Sequence, residues 1–508
     1  MSSSSLAQSI SQKTNWRFVI TLFLLGFSSG LPFLLIFSTL SLWLLEAGVE
    51  RKMVTMFSWA ALAYSFKFIW SPLIDTLPLP FLTRFLGKRR AWLLLAQTLI
   101  VVAILLMAMA NPNPSNPDTL NMMALGAVLL GFSSATQDVV IDAYRIEIAP
   151  DNSALQSTLS AAYTAGYRVA MVVSGAGSLL LAAYLGSSSE HYVYTAWRDT
   201  YLIMAATLSI GWITTLFIRE PQHARESVYS LSASDNLRLL SMFILCVLTF
   251  ISVFRFSGRL LPATNSPFWQ FIIETGHLFL SLLGALVVGF ICVKTRLIPK
   301  ETAIQTWWLP IANFFQRYQN KALILLALIG LYRISDIVAG VISNVFYADL
   351  GFSKEEIAWA VKTFGVVMSI AGGFFGGWLA QKIRIMNMMM IGALAAATTN
   401  LFFVALAMRG HDLMLMYLAV GADNLAAGLA GTVFVAFLSS LTNIRFTAVQ
   451  YALFSSLMTL LPKVLGGYSG SIVNSIGYTG FFTFCALLGM PILLLVWWAD
   501  KALTKQST

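Results

Sequence analysis

Charge is what this sequence has least of. Asp, Glu, Lys and Arg make up 11% of 508 residues, against 58% hydrophobic residues and a mean hydropathy of +0.76. Soluble globular domains carry about 25% charged residues, so that class is excluded. Cysteine is scarce too: Cys246, Cys292 and Cys485 lie in or beside apolar runs, without metal or disulfide spacing, and read as core fillers. The four histidines, His191, His223, His277 and His411, lie away from the charged core, and no metal- or phosphate-binding motif occurs. That sets aside a membrane enzyme acting on a lipid-linked sugar, and no catalytic residue, metal or cofactor is expected. The start, MSSSSLAQSISQKTNW, lacks a signal-peptide core and cleavage site, so the first apolar span is expected to direct insertion. The net charge of +10 does not point to nucleic acid, because the basic residues sit in short loops between apolar runs. Most fall on the side holding the N-terminus, which by the positive-inside rule puts both termini in the cytoplasm.

What the sequence has in abundance is long apolar stretches, the pattern of helices that cross hydrocarbon. Spans are expected at about 17–45, 54–76, 89–110, 120–145, 155–184 and 197–218, then at about 237–255 and 268–292, and finally at about 321–348, 355–380, 385–407, 412–440, 446–472 and 478–500. The expected fold class is therefore an all-α polytopic membrane protein of about 14 spans. Its parts are an N-terminal six-helix bundle (1–218), a linker with two extra transmembrane helices and a basic cytoplasmic loop (219–320), and a C-terminal six-helix bundle (321–508). A charged stretch, REPQHARES, opens the linker; a polar turn with Arg259 and Pro262 joins the extra helices. The basic loop KTRLIPKETAIQTWW contains an amphipathic stretch able to lie along the membrane surface. Weak internal symmetry supports the division: FIWSPLIDTLPLP before the basic GKRRAW corresponds to GGFFGGWLAQKIR in the second half. Parallel halves with a site between them near the midplane are the major facilitator architecture.

Residues 131–147, GFSSATQDVVIDAYRIE, carry Gln137, Asp138 and Asp142 into apolar surroundings. Four residues apart, Asp138 and Asp142 share one helix face. A carboxylate at membrane depth costs several kcal/mol and survives by facing a polar cavity or a partner. Asp142 either lines that cavity or, at the end of its span, pairs with Arg145. Lys67, Arg168, Arg333, Asp336, Lys362, Asp423 and Lys463 are further charges inside spans, and they fall in both halves, as a central cavity requires. Arg333 and Asp336, three apart in LYRISD, pair on one face. Asp75 ends its span just before Arg84 and Lys88–Arg90, where a gate pairing with Arg89 and Arg90 is favoured over substrate contact.

Charges of both signs beside aromatic residues favour a polar organic substrate over a bare ion. Lys67, Arg168, Arg333 and Lys362 suit carboxylates, the arginines through a bidentate fork. Trp43, Tyr64, Trp70, Tyr163, Tyr167, Tyr332 and Trp359 offer faces for sugar rings, or serve as interface belt and core. A carboxylate taken out of water can load and release a proton, so Asp138, Asp142, Asp336 and Asp423 are the candidates for proton coupling.

The ordered segments GFSSGLPFLLIFSTLSLWL, YSFKFIWSPLID, GKRRAWLLLAQ, SSATQDVVIDAYR and GYRVAMVVSGAG, followed by LYRISD, LGFSKEEIAWAVKTFG, DNLAAGLAGTVFVAFLSSLTN and FTAVQYALFSSL, resemble AmpG-type muropeptide permeases of the major facilitator superfamily. The resemblance covers roughly 17–218 and 321–500; the segment 237–292 is the part it covers least. It implies import of anhydromuropeptides, GlcNAc-anhydroMurNAc with or without peptide, across the bacterial inner membrane by proton symport, for peptidoglycan recycling and β-lactamase induction. It also places Lys67, Gln137, Asp138, Asp142, Arg168, Asp336, Lys362, Asn424 and Gln450 at family motif positions, with Asn and Gln suited to the substrate's amides. The expected partners are the muropeptide and the bilayer, not nucleic acid, and a monomer is expected. The alternative is a facilitator for another polar anion, such as an acyl-CoA or a nucleotide-linked substrate.

Overall fold

A computed structural model of the protein describes residues 3–49, 63–112, 116–150, 152–188, 191–221, 232–260, 267–466 and 469–504, together with 54, 57 and 60. Arg259's side chain, Pro262, His223 and the side chain of Lys463 lie outside the described residues, as does part of the expected span at 54–76. The described chain is helical throughout. Twelve of its helices are long and apolar enough to cross a membrane, and Phe279–Lys294 is a shorter apolar one. In hydrocarbon only a helix satisfies its own amides and carbonyls, which is why apolar runs of this length adopt no other form.

The chain forms two compact units: Met1–Phe68 with Leu79–Glu226 and Tyr318–Thr508, and Ile69–Pro78 with Ser227–Arg317. In the first unit, one bundle contains α1 (Trp16–Glu46), α2 (Lys88–Met109), α3 (Asp118–Ile148), α4 (Ser153–Tyr184) and α5 (Tyr194–Phe217), together with the short helix Ala63–Phe66 and the one-turn helix Lys67–Ile69 as far as Phe68. In the second unit, α6 (Ala233–Leu260) and α7 (Pro267–Lys294) pack as a hairpin. The other bundle, in the first unit, contains α8 (Ala322–Leu331), α9 (Ile334–Asp349), α10 (Ala358–Leu379), α11 (Ile385–Arg409), α12 (Leu413–Leu441), α13 (Ile444–Pro462) and α14 (Ile472–Thr504).

Polar caps set several starts. Asn116 accepts the Asp118 amide before α3, Asn152 the Leu155 amide before α4, and Asp412 the Leu415 amide before α12. Small residues set the closest helix contacts. Gly26, Gly30 and Gly166 bring α1 and α4 together, facing the carbonyls of Tyr163, Tyr167 and Phe23, so a Cβ at any of the three meets backbone. In the other bundle Gly372 faces the Leu425 carbonyl and Gly428 the Ser369 carbonyl, which draws α10 onto α12.

Aromatic residues fill both cores. Trp43, read from sequence as a possible sugar platform, is fully buried, stacked on Trp197 at 5.8 Å and against Tyr201 at 4.7 Å. Phe346, Phe403 and Phe482 form the corresponding cluster, with Phe482 4.8 Å from Phe346 and 5.2 Å from Phe403. In the second unit the Ser257 hydroxyl meets His277 Nδ1 at 2.9 Å across the α6–α7 hairpin. The Trp307 indole, from the basic-loop helix, donates to the Ile69 carbonyl at 3.2 Å.

Candidate functional site

α3 carries a polar ladder on a buried face. Gln137, Asp138, Asp142 and Arg145 are all buried, and each finds a different environment. Asp138 accepts from the Ser29 hydroxyl of α1 and, at 3.5 Å, from the Tyr163 hydroxyl of α4; the two hydroxyls are 2.9 Å apart. One turn on, Asp142 has Lys67 Nζ at 4.0 Å and Arg145 Nη2 at 3.3 Å. Asp142 thus makes the pairing with Arg145 that the sequence offered as one alternative, and meets Lys67 besides. Above Asp138, Tyr64 donates to the Ser134 hydroxyl at 2.7 Å. Gln137 is fully enclosed, yet neither its amide oxygen nor its amide nitrogen has a hydrogen-bond partner among the described residues. An unmet buried amide of this kind costs about 1–3 kcal/mol, so a structure retains it for a reason.

Arg145 ties the ladder to the other bundle. Its Nη1 donates to Gln156 Oε1 at 3.0 Å, Ser160 Oγ at 3.0 Å and Ser439 Oγ at 2.9 Å, and its guanidinium lies 5.2 Å from the Tyr451 ring centroid. Ser439 is in α12 and Tyr451 in α13. Sequence reasoning weighed Arg145 only as a partner for Asp142, because nothing local in YRIE announces Ser439.

A second junction lies close by. Arg89 Nη2 meets Glu147 Oε1 at 2.5 Å and its Nε meets Oε2 at 3.0 Å, both side chains being buried. The Thr447 hydroxyl, at the start of α13, donates to the same carboxylate at 2.6 Å. Glu220 accepts the backbone amides of Arg89 at 2.7 Å and Arg90 at 3.1 Å, capping α2, and Arg90 itself spends its guanidinium on the Thr215 and Leu216 carbonyls of α5. Burial pushes the Glu220 carboxyl above its usual range against the pull of those amides. Gln381 donates to the Thr158 hydroxyl at 3.1 Å, and Gly377 packs on Ala161 and Thr158. These contacts fall on the last turns of α3, α10 and α12 and on the first turns of α4 and α13, so they join the bundles at one end. Glu147 and Glu220 were not singled out from sequence. Asp75, the expected gate acid, is half-buried in the helix Ser71–Thr76, in the unit that also holds buried Trp70.

The other bundle contributes looser charges. Arg333 sits at the break between α8 and α9, with Nε and Nη2 each 3.2 Å from Asp336 Oδ2. Asp423 on α12 accepts from Thr399 at 3.4 Å and lies within electrostatic reach of Asp336 and Arg333. Arg168 of α4 has no hydrogen bond or ion pair among the described residues. Lys362, exposed and unpaired among the described residues, lies on a π-helical turn, Ala358–Phe364, a distortion frequent at functional sites. Asn424 bonds its own helix through Val420 O at 2.9 Å, and Gln450 accepts the Asn443 amide at 2.7 Å. Tyr332 is buried, bonded to the Met389 carbonyl and stacked on Phe434. Tyr163 and Tyr167 stand 6.1 Å apart, ring to ring, beside the ladder.

Comparison with known proteins places this geometry. The anhydromuropeptide permease of Escherichia coli K12 is 30% identical over 477 residues, 94% of this chain and 78% of that protein. The chain belongs to the AmpG-type anhydromuropeptide permease family. A relative named putative transporter AmpG 4, from Rickettsia felis, is 29% identical over 94% of this chain and 96% of its own length. The family model described as acetyl-coenzyme A transporter 1 matches residues 17–202. Among solved structures the proton:xylose symporter XylE aligns with a TM-score of 0.60 at 13% identity, covering 96% of each chain. The human organic anion transporter MFSD10 aligns at 0.57 and 14%, covering 95% of this chain and 99% of its own. The fold is thus that of the major facilitator transporters, and this AmpG-family protein is a multi-pass membrane transporter.

Proposed function

We propose that this protein imports anhydromuropeptides, GlcNAc-anhydroMurNAc with or without peptide, across a bacterial inner membrane by proton symport, feeding peptidoglycan recycling and β-lactamase induction. The observation that carries the reading is the α3 ladder of Gln137, Asp138, Asp142 and Arg145, enclosed at membrane depth in a chain of the anhydromuropeptide permease family. Asp138 and Asp142 are the coupling carboxylates in the first bundle, Asp336 and Asp423 in the second. Lys67, Arg168, Arg333 and Lys362 receive the substrate's carboxylates; Gln137, Asn424 and Gln450 its amides; Trp70, Tyr163 and Tyr167 its sugar rings. The bundles 1–218 and 321–508 alternate around the site, and 219–320 carries the extra helix pair. With both termini cytoplasmic, the joined end is the cytoplasmic one, held by Arg89 with Glu147 and Thr447; Asp75, Arg89 and Arg90 are the gate residues. The protein acts as a transporter without cofactor, as a monomer.

The test is uptake of radiolabelled anhydromuropeptide into vesicles lacking their own permease, with and without a protonophore. Uptake abolished by the protonophore, and by Asp138→Asn in well-expressed protein, is the expected result. Uptake insensitive to the protonophore removes the proton from the proposal. The match of residues 17–202 to the acetyl-coenzyme A transporter model favours one second reading, an acyl-CoA or nucleotide-linked anion as substrate. Absence of muropeptide uptake, with competition by acyl-CoA in binding, would select it.

A further inference from the structure

One end of the second bundle carries two lysines seated on indole rings. Trp378 ends α10, and Lys382, one turn later, places its Nζ 3.9 Å from the indole centroid. Trp497 and Lys501 repeat the spacing on α14, with Nζ 3.6 Å from the ring. Arg384 Nη2 bonds Asp500 Oδ1 at 2.9 Å, which ties the turn before α11 to the end of α14 and makes the two pairs one patch. Asp500 is the only carboxylate in the segments 378–384 and 497–501, and Arg384 occupies it. Neither Lys382 nor Lys501 has a carboxylate partner among the described residues.

The indoles fix where this patch sits. Trp378, Trp497 and Trp498 are 50%, 46% and 49% exposed at the ends of spanning helices. Indoles so placed occupy the membrane–water boundary, with their rings against glycerol and upper acyl chain. The ammonium groups over them therefore stand at headgroup depth, where the cation–π contact holds each lysine in place and leaves its full charge for an anion. A basic residue near an anionic membrane surface contributes about 1 kcal/mol to attraction.

We propose that this patch binds the headgroup of an anionic phospholipid. Lys382 and Lys501 contact the phosphate, while Trp378 and Trp497 hold the glycerol and upper chain. This site is separate from the α3 ladder and does not depend on what the protein transports. The test uses the purified full-length protein, titrated with phosphatidylglycerol and with phosphatidylcholine of the same chains and followed by native mass spectrometry and thermal melting. Phosphatidylglycerol is expected to bind more tightly, and Lys382→Gln with Lys501→Gln to weaken it by roughly fivefold per lysine. Equal affinity for the two lipids overturns the proposal. So does a preference that survives in the double variant, or displacement of the lipid by millimolar inorganic phosphate. If the double variant does not fold, brominated lipids decide with the unaltered protein. Stronger tryptophan quenching by brominated phosphatidylglycerol than by brominated phosphatidylcholine supports the site, and equal quenching overturns it.

Discussion

In the first bundle Asp138 and Asp142 of α3 each take a partner from another helix: Asp138 from Ser29 and Tyr163, Asp142 from Lys67 as well as from Arg145, three residues on in α3 itself. In the second bundle the acids have less. Asp336 has Arg333, three residues away on the same stretch of chain, and Asp423 has one long bond from Thr399. Lys362 stands exposed. The first bundle thus carries a ladder already fixed in place, whereas the second presents charges whose partners can change. Preorganised groups spend no free energy on ordering when a ligand arrives, and loosely held ones are free to follow it. Substitutions in the two bundles should therefore fail differently.

The largest effect is expected at Arg145. Replacing it with Leu leaves Asp142 short of a counter-ion and removes the bonds to Gln156, Ser160 and Ser439 at once. Breaking a buried pair in this way costs about 3–5 kcal/mol. Folded yield and melting temperature of the purified protein should collapse, while Arg333→Leu, losing one ion pair from a partly exposed arginine and no bond to another helix, should remain purifiable. If both variants behave alike, the difference in how the bundles hold charge is not real.

Next come the acids themselves. Asp138→Asn keeps an acceptor for Ser29 and Tyr163 and should preserve folding while lowering uptake about tenfold or more. Asp423→Asn should lower it only about two- to fivefold, because its single long bond leaves neighbours able to take over. Uptake rates at matched expression check both, and a greater loss at Asp423 would reverse the assignment of the fixed ladder to the first bundle.

Packing should show no such difference. Gly166→Ala drives a Cβ into the Phe23 carbonyl of α1, and Gly372→Ala drives one into the Leu425 carbonyl of α12. Both walls are backbone that cannot rotate aside, so each should cost about 1–3 kcal/mol in thermal stability. A silent Gly372→Ala would show that the looseness of the second bundle extends to its helices.

The comparison also marks what a sequence discloses. The spanning helices were legible because hydrocarbon allows long apolar runs only one backbone form, and the α3 ladder because two acids four apart in such a run must share a face. Arg333 with Asp336 was legible on the same local grounds. The joints between bundles were not. Glu147 looks like an ordinary charge at the end of a span, and only the fold brings Arg89 and Thr447 to it. Glu220 stands in REPQ with no sign that it caps α2 from 131 residues away. Trp43 has the composition of a sugar platform and the burial of a core residue. Helix periodicity carries information along one helix, and a contact between helices depends on two registers that the sequence does not print.

The smallest expected effect concerns the caps of two helices, α3 and α12, one in each bundle. α3 starts on Asn116, which is neutral at any pH, whereas α12 starts on Asp412, whose carboxylate accepts the Leu415 amide and pairs with Arg409 at 3.2 Å. That amide bond and the guanidinium hold the Asp412 carboxyl below its usual range, as the Ser353 amide holds Glu356 at the start of the preceding hairpin. A carboxylate whose folded value is depressed contributes stability above its unfolded value and loses it as the pH falls through the folded one. Acidification below the ordinary carboxylate range should therefore loosen the first turn of α12 more than that of α3, whose first-turn acid, Asp118, is not the capping group. Hydrogen exchange of the amides at 413–416 and 118–121, corrected for intrinsic rates, measures this directly. In Asp412→Asn the acid-induced opening of α12 should vanish, since the cap no longer titrates. Equal opening of α3 and α12 in the unaltered protein would mean that acid acts on the bundles as wholes, and that the difference between their caps plays no part.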